Sequence, residues 1–416
     1  MQVAVVVPQP TSVAECSFAR LTWTVCGVGL LERTLVTAQR AGATDVLVIW
    51  PQSMLVELAA PFLRSPLLRK TGKVRLVQVE SFDPNARSSW AGLEDQLEEH
   101  FLWLPWNWVT NARTLASLPK SEQSPTNWEV PAWVSKKSIV SGVNDHSQTR
   151  PLPEGVPVTS ECTIEAAERF LVARSGKASD GVHSSFNRWL CRPFVRWLSH
   201  TPVTPNAVTF GGVLVAILSG IAFARGNYWS YVAGAVLFFI AGLFDEIDGM
   251  LARIKFADSP FGTYLEGFAD SLSYVLLFGG ITLGLHRQLG TRELWVGATL
   301  LVGTVLALVV TTLQRKRAAS ADRPSEYLGN FYRKLDEDSS NWISRGVRHI
   351  QGFQRRGIMI HYVLLFTIFG GLQILFYLAT LGAHLTWTLA LYYNQRFFKQ
   401  APSAPLRAIQ TSQEAS

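Results

Sequence analysis

Residues 228–285 read YWSYVAGAVLFFIAGLFDEIDGMLARIKFADSPFGTYLEGFADSLSYVLLFGGITLGL. Two apolar runs, Tyr228–Phe244 and Phe261–Leu285, flank a short polar segment, and acids appear only where the runs meet it. A helix crosses a bilayer in about 17–25 predominantly apolar residues, so each run is a candidate crossing. The pattern continues on both sides. Ala207–Ala224 and Leu294–Leu313 are uncharged, and Gly357–Gln395 is uncharged over a length worth two crossings, with Gly370-Gly371 as the turn between them. Six transmembrane helices are expected over residues 201–396, with an insertion at 314–356. The competing reading, buried helices of a soluble core, rarely produces such long charge-free stretches so close together.

Composition agrees. The chain has 416 residues, 48% of them hydrophobic and only 17% charged, against about a quarter charged in ordinary soluble domains. Chain-wide disorder is excluded by the apolar content. The four cysteines, Cys16, Cys26, Cys162 and Cys191, lack metal-binding spacing and disulfide-framework density. A net charge of +7 in so apolar a chain points to the cytoplasmic membrane face and not to nucleic acid. The loops set the orientation. Arg225 stands alone between spans one and two, and Arg287 and Arg292 lie between three and four. Arg253 and Lys255 follow span two, and ten Lys and Arg from Arg315 to Arg356 follow span four. Both termini and the acid-rich ends are therefore expected in the cytoplasm. Arg188, Arg192 and Arg196 share one helical face in Gly181–Ser199, with Phe186, Trp189, Leu190, Phe194 and Trp197 on the other. That is an interfacial amphipathic helix facing membrane lipids, or an amphipathic helix packed on protein.

Residues 1–118 read as a soluble α/β domain. Met1–Val7 lacks the basic start of a signal peptide. Val3–Val7, Asp45–Trp50, Val74–Val79 and Phe101–Leu104 are strand candidates, and Gly29–Ala41 has helical apolar spacing closed by Gly42. Strand, helix, strand at this spacing predicts a parallel sheet with crossover helices. Residues 119–165, rich in Ser, Pro and Asn, read as a poorly ordered linker in which Trp128 and Trp133 hint at packing. Residues 166–200 are a junction, and 397–416 a disordered tail.

The acids carry the chemistry. Asp245 and Asp248 stand at i, i+3 at the end of span two, and Glu266 and Asp270 at i, i+4 at the start of span three. Each pair shares a helix face. Four carboxylates converging at one end of a bundle would repel strongly, and divalent cations relieve this. Oxygen donors with phosphate suit Mg²⁺ or Mn²⁺, and two ions can clamp both oxygens of an in-line phosphoryl displacement. Gly249 removes a side chain where phosphate would approach the helix, Ala252 is small, Gly262 opens the neighbouring helix, and Arg253 can pair with phosphate or a carboxylate.

These residues resemble the CDP-alcohol phosphotransferase signature D-x2-D-G-x2-A-R-x8-G-x3-D-x3-D. The chain supplies Asp245, Asp248, Gly249, Ala252, Arg253, Gly262, Glu266 in place of Asp, and Asp270, so seven of eight positions match. The likeness covers about residues 170–396 and includes the TPVTPNAVT entry, Thr201–Thr209. It implies transfer of a substituted phosphate from a CDP-alcohol donor to an alcohol or phospho-alcohol acceptor, with release of CMP, in phospholipid or phosphodiester synthesis. It implies that Asp245, Asp248 and Glu266 hold the two Mg²⁺ or Mn²⁺ ions. Asp270 serves as ligand or general base, and Gly249, Ala252, Arg253 and Gly262 line the nucleotide site. Asn206 and Thr209 join that site or simply begin a helix after Pro205. A bacterial or archaeal inner membrane is implied, and a homodimer is compatible. Glu266 keeps the charge but reaches one methylene further, so the site is either retained or impaired.

The N-terminal part resembles a sugar-phosphate nucleotidyltransferase, through VAVVVPQP, GLLERTLVTAQRAGATDVLVI and FLWLPWNWV. Such domains occur fused to CDP-alcohol phosphotransferases in bifunctional inositol-phosphate cytidylyltransferase and di-inositol-phosphate phosphate synthase proteins. The Gly-rich phosphate loop such a domain needs is replaced here by Pro8-Gln9-Pro10-Thr11-Ser12, and its metal-binding Asp by Trp106-Asn107-Trp108. The domain reads as degenerate, with a structural or regulatory role or as a nucleotide sensor. His361 and His384 have no paired His at ligand spacing. A catalytically silent membrane scaffold and an ion-coupled transporter are the other functional classes these residues allow.

Overall fold

The structure, a computed structural model, describes residues 1–7, 23–68, 72–119, 127–141, 153–176, 182–318 and 356–397. Between the last two ranges it describes residues 331, 334, 335, 337, 338, 344 and 347. The Pro8–Ser12 segment, most of the 314–356 insertion and residues 398–416 lie outside the described residues. The chain forms two compact units. The first comprises residues 1–181, 188–205 and 246–259, and the second 182–187, 206–245 and 260–416.

The first unit is built on a five-stranded sheet. Its strands are β1 (Gln2–Val6), β4 (Asp45–Pro51), β5 (Lys73–Val79), β6 (His100–Pro105) and β8 (Ala132–Ser135), in the order β5-β4-β1-β6-β8. The β1, β4, β5 and β6 strands run parallel, with Val3 opposite both Val46 and Leu102. Val3–Val5 and Val46–Trp50 are buried on both faces, as expected of strands covered by crossover segments. Two small ribbons accompany the sheet: β2 (Thr24–Val25) with β3 (Val28–Gly29), and β7 (Trp108–Val109) with β9 (Val156–Pro157). Helix α1 (Leu30–Arg40) follows β3, and Gly42 ends it at φ +100. The four expected strands and the expected helix all form.

The linker differs from its sequence reading. Ala132–Ser135 adds to the sheet as β8, antiparallel to β6. The reason is aromatic. Trp128 packs edge-on against Trp103 at 4.9 Å, and Trp103 Nε1 donates to the Trp128 carbonyl at 2.7 Å. Trp133 Nε1 donates to the Leu118 carbonyl at 3.1 Å. Burying these indoles with satisfied N–H groups orders a segment whose Ser and Pro content suggested a loose connection.

Helix α2 (Glu161–Arg174) begins at Ser160 with a capping box completed by Thr163. Its Glu168, only 2% exposed, accepts from the Cys26 amide at 3.1 Å and from Arg196 Nε at 2.9 Å, and pairs with His200 Nε2 at 3.0 Å. Arg196 belongs to helix α3 (Val182–Ser199), the expected amphipathic helix, whose Trp189, Phe194 and Trp197 stay exposed.

The second unit is helical. It contains α4 (Pro205–Ala224), most of α5 (Tyr228–Ile254), α6 (Pro260–Leu289), α7 (Thr291–Ala318), α8 (Arg356–Ile368) and α9 (Leu372–Phe397). Among the described residues, four helices are long and apolar enough to cross a membrane: Pro205–Ala224, Pro260–Leu289, Thr291–Gln314 and Leu372–Phe397. That is fewer than the six spans read from the sequence. The α5 helix has 27 residues but carries Asp245, Glu246, Asp248 and Arg253 near its end, and α8 has 13. Large apolar side chains such as Leu214, Trp295, Phe369 and Leu381 are at least 60% exposed, a surface suited to lipid and not to water. Inside, Phe223, Phe238, Leu277, Ile281, Leu300 and Phe376 form one core. Small residues bring helices together: a Cβ on Gly280 would lie 2.4 Å from the Gly220 carbonyl oxygen. The described residues of the insertion pack on α9. Asp338 accepts twice from Arg396, at 3.0 and 2.6 Å, and Phe331, Leu335 and Val347 cluster with Tyr393.

Candidate active site

The acids sit where two successive helices approach the same short loop. Asp245 and Asp248 lie on the last turns of α5, separated by less than one turn. The loop Lys255–Ser259 then leads into α6. Glu266, Asp270 and Tyr274 follow at i, i+4 and i+8 of α6, along one face. Asp245 stands nine residues before the end of α5, and Asp270 ten after the start of α6. At about 1.5 Å per residue these are matching depths. Asp248, one turn nearer the loop, is 4% exposed. Among the described residues, no three His, Cys, Asp or Glu side chains gather closely enough to hold a metal ion as placed. The donor set nonetheless has the right chemistry for one: four hard carboxylates on two helix faces.

Gly249, Ala252 and Arg253 of the signature lie at the end of α5, in the first unit. A Cβ on Gly249 would meet the Arg253 guanidinium at 3.3 Å. Arg253 thus folds back one turn over the bare backbone of Gly249, in the space the sequence reading gave to phosphate, while its Nε donates to the Ser175 carbonyl. Ala252 ends the helix from within. Its carbonyl accepts from the Ala257 amide at 2.8 Å, the six-to-one bond of a Schellman turn. The left-handed residue of that turn is Phe256, at φ +56, not glycine. Such a φ costs a bulky residue on the order of 1–2 kcal/mol. Two arginines offset it. The Arg33 and Arg40 guanidinium groups stand 5.0 and 4.8 Å from the Phe256 ring, within cation–π range. Arg33 also donates to the Ile254 carbonyl at 3.0 Å, and Arg40 to the Phe256 carbonyl at 2.9 Å and to Asp258. Lys255 donates to the Thr201 and Val203 carbonyls at 2.6 and 3.0 Å, and burial lowers its pKa.

The weaker candidates fall in first turns. Asn206 and Thr209 open α4, which starts at Pro205, and Gly262 opens α6. Proline at the first helical position is a helix-start signal, so the structure gives Asn206 and Thr209 that role in any event. In the N-terminal domain, Trp106 and Trp108 are buried, and Asn107 Nδ2 donates to the Val158 carbonyl at 3.2 Å. The position where a nucleotidyltransferase needs a metal carboxylate is occupied here by packing residues.

Sequence reasoning missed Arg33, Arg40 and Glu168. Arg33 and Arg40 are seven apart on α1, and so share a face, but nothing local marks an arginine for burial. Arg33 is 2% exposed, and desolvation lowers its pKa to about 10.

Residues 202–389 match the CDP-alcohol phosphatidyltransferase family, and the eight signature positions all fall inside that range. The C-terminal part of the chain is a CDP-alcohol phosphatidyltransferase domain. Archaetidylinositol phosphate synthase of Methanothermobacter thermautotrophicus is 35% identical over 100 residues, covering 24% of this chain and 50% of the relative. Cholinephosphotransferase 1 of Gallus gallus is 32% identical over 123 residues, covering 28% and 35%. The bifunctional IPC transferase and DIPP synthase of Rubrobacter xylanophilus is 28% identical over 179 residues, covering 42% and 39%. The chain thus spans between about a third and a half of the length of these relatives. The last of them is consistent with a fused architecture. Family and relatives are transferases of phospholipid and inositol-phosphate synthesis, and with the apolar helices they support a multi-pass membrane protein.

Proposed function

We propose that the chain is a membrane-embedded, metal-dependent CDP-alcohol phosphotransferase. One observation carries this reading: the signature acids fall in pairs at i, i+3 and i, i+4 on two successive helices, inside the matched residues 202–389. The acceptor hydroxyl oxygen bonds to the β-phosphorus of the CDP-alcohol, the phosphoanhydride bond breaks, and CMP leaves with the bridging oxygen. Asp270 takes the acceptor's proton. Asp245, Asp248, Glu266 and Asp270 would hold two Mg²⁺ or Mn²⁺ ions, which supply charge neutralisation at the phosphates when bound. Gly249, Ala252, Arg253 and Gly262 border the nucleotide, with Asn206 and Thr209 at the mouth. Acceptors are alcohols or phospho-alcohols, in keeping with the choline and inositol-phosphate named for the relatives. Spans α4 to α9 make six crossings. Both termini and the site face the cytoplasm of a bacterial or archaeal inner membrane, as the basic loops support.

The test is CMP release by the purified full chain over a panel of CDP-alcohols and acceptors. Wild type should release CMP with Mg²⁺ or Mn²⁺ and not with chelator. Asp248→Asn should fall by at least a hundredfold. No CMP from any pair, in wild type and in Glu266→Asp alike, would overturn the reading and leave the silent scaffold.

A further inference from the structure

The first unit encloses a cavity of about 640 Å³, a size ordinary for small-molecule sites. Five arginines line it: Arg33 and Arg40 from α1, Arg113, Arg174 at the end of α2, and Arg253 from the signature. Among the described residues, Glu154 is the single carboxylate in the lining. It pairs with Arg174 at 2.7 Å, and Arg40 pairs with Asp258 outside the lining. Arg33 donates to the Val25 and Ile254 carbonyls at 2.8 and 3.0 Å, Arg113 to the Gly176 carbonyl at 3.4 Å, and Arg253 to the Ser175 carbonyl. These carbonyls hold the guanidinium groups in place and carry no formal charge themselves. Several fixed, forked cations around an open volume form a receptor for phosphate oxygens. Arg33 is almost fully buried at the inner wall, and Arg113 and Arg174 are exposed at the rim. Arginine side chains therefore line the cavity from its exposed mouth to its buried wall.

We propose that this cavity is a binding site for a phosphate-bearing polar small molecule, to which the N-terminal domain contributes Arg33, Arg40 and Arg113. A domain whose sequence lacks the loop and the acid of a nucleotidyltransferase would thus retain a phosphate-binding role on a different set of residues. Arg253 is shared between this cavity and the transferase signature, but the proposal stands without turnover. The shared chemistry is a phosphate group, carried either in a pyrophosphate, as in a CDP-alcohol, or in a monoester, as in a phospho-alcohol, and the arms of the test separate the two.

The experiment is isothermal titration of the full-length protein in detergent with pyrophosphate, inorganic phosphate and chloride, each at two salt concentrations. Saturable binding of pyrophosphate or phosphate, weakened by salt, is expected. Affinity should drop at least tenfold in Arg113→Ala and in Arg174→Ala, which replace exposed rim residues. It should be unchanged in Arg87→Ala, an exposed residue outside the cavity lining. Tighter pyrophosphate binding assigns a diphosphate ligand, and equal or tighter phosphate binding a monoester. Absence of saturable binding, response to chloride alone, or equal affinity in wild type and both rim variants would overturn the site. Binding through these arginines in a protein that releases no CMP would keep the site and defeat only the transferase reading.

Discussion

At the scale of single residues, Glu168 and Gly27 bear the most. Glu168 is a buried carboxylate joined to Arg196, His200 and the Cys26 amide. Removing Glu168 leaves the buried Cys26 amide without its acceptor, which typically costs about 1–3 kcal/mol, and takes the counter-charge from the partly exposed Arg196 and His200. Glu168→Ala should lower the thermal unfolding midpoint markedly, while Glu165→Ala, whose carboxylate is exposed, should barely move it. Gly27 stands at φ +74, and a Cβ there would lie 2.3 Å from the Ser199 carbonyl oxygen. Gly27→Ala meets both a disfavoured backbone conformation and a clash, so it should destabilise by about 1–3 kcal/mol, read by the same thermal measurement. Asp45 supplies a pH dependence. Its bonds from Arg75 and Gln2 hold its carboxyl below the ordinary carboxylate range. The stabilisation is complete near neutral pH and is lost as pH falls through that range. Asp45→Asn should therefore flatten the acid limb of stability against pH, whereas an unchanged limb would remove Asp45 from the account.

At the scale of elements, the end of α5 is held by charge and stacking instead of by a glycine. Arg40→Gln removes a ring contact and the Asp258 pair. Amide exchange over residues 250–258 should then quicken at least tenfold, with the β1–β4 amides unchanged. Helix packing in the second unit gives another test. Gly280→Leu drives a side chain into the Gly220 backbone, and close small-residue contacts of this kind are what membrane helices use to associate. The variant should extract as aggregated or lower-melting protein, while Gly279→Leu, where a Cβ meets nothing within 4 Å, should behave as wild type. Elements with one strong local signal were legible in sequence. The β-branched runs at Val3 and Asp45 became β1 and β4, and the long apolar stretches became α4, α6, α7 and α9. Strand β8 was not, because its order comes from Trp128 and Trp133 packing against residues far away in the chain. The Arg33–Phe256–Arg40 stack was hidden for the same reason: Phe256 is more than 200 residues from either arginine, and neither partner alone suggests the other.

At the scale of the molecule, spacing made the acids legible without any fold. Asp245, Asp248, Glu266 and Asp270 were readable as paired faces from i, i+3 and i, i+4 alone, and α5 and α6 carry them so. What spacing does not give is the set of groups that surround them. Arg253 folding over Gly249 and the arginine-lined cavity are products of tertiary structure, and they connect the signature helix to the N-terminal domain within one compact unit. The proposed function requires the α5 and α6 carboxylates to hold two divalent cations. Electron paramagnetic resonance of Mn²⁺ titrated into the purified full chain measures this directly. Two tightly bound Mn²⁺ per chain are expected in wild type, and at most one in Asp248→Asn or Asp270→Asn at unchanged folding. A spectrum of free Mn²⁺ at every ratio, or the same two bound ions in both variants, would contradict it.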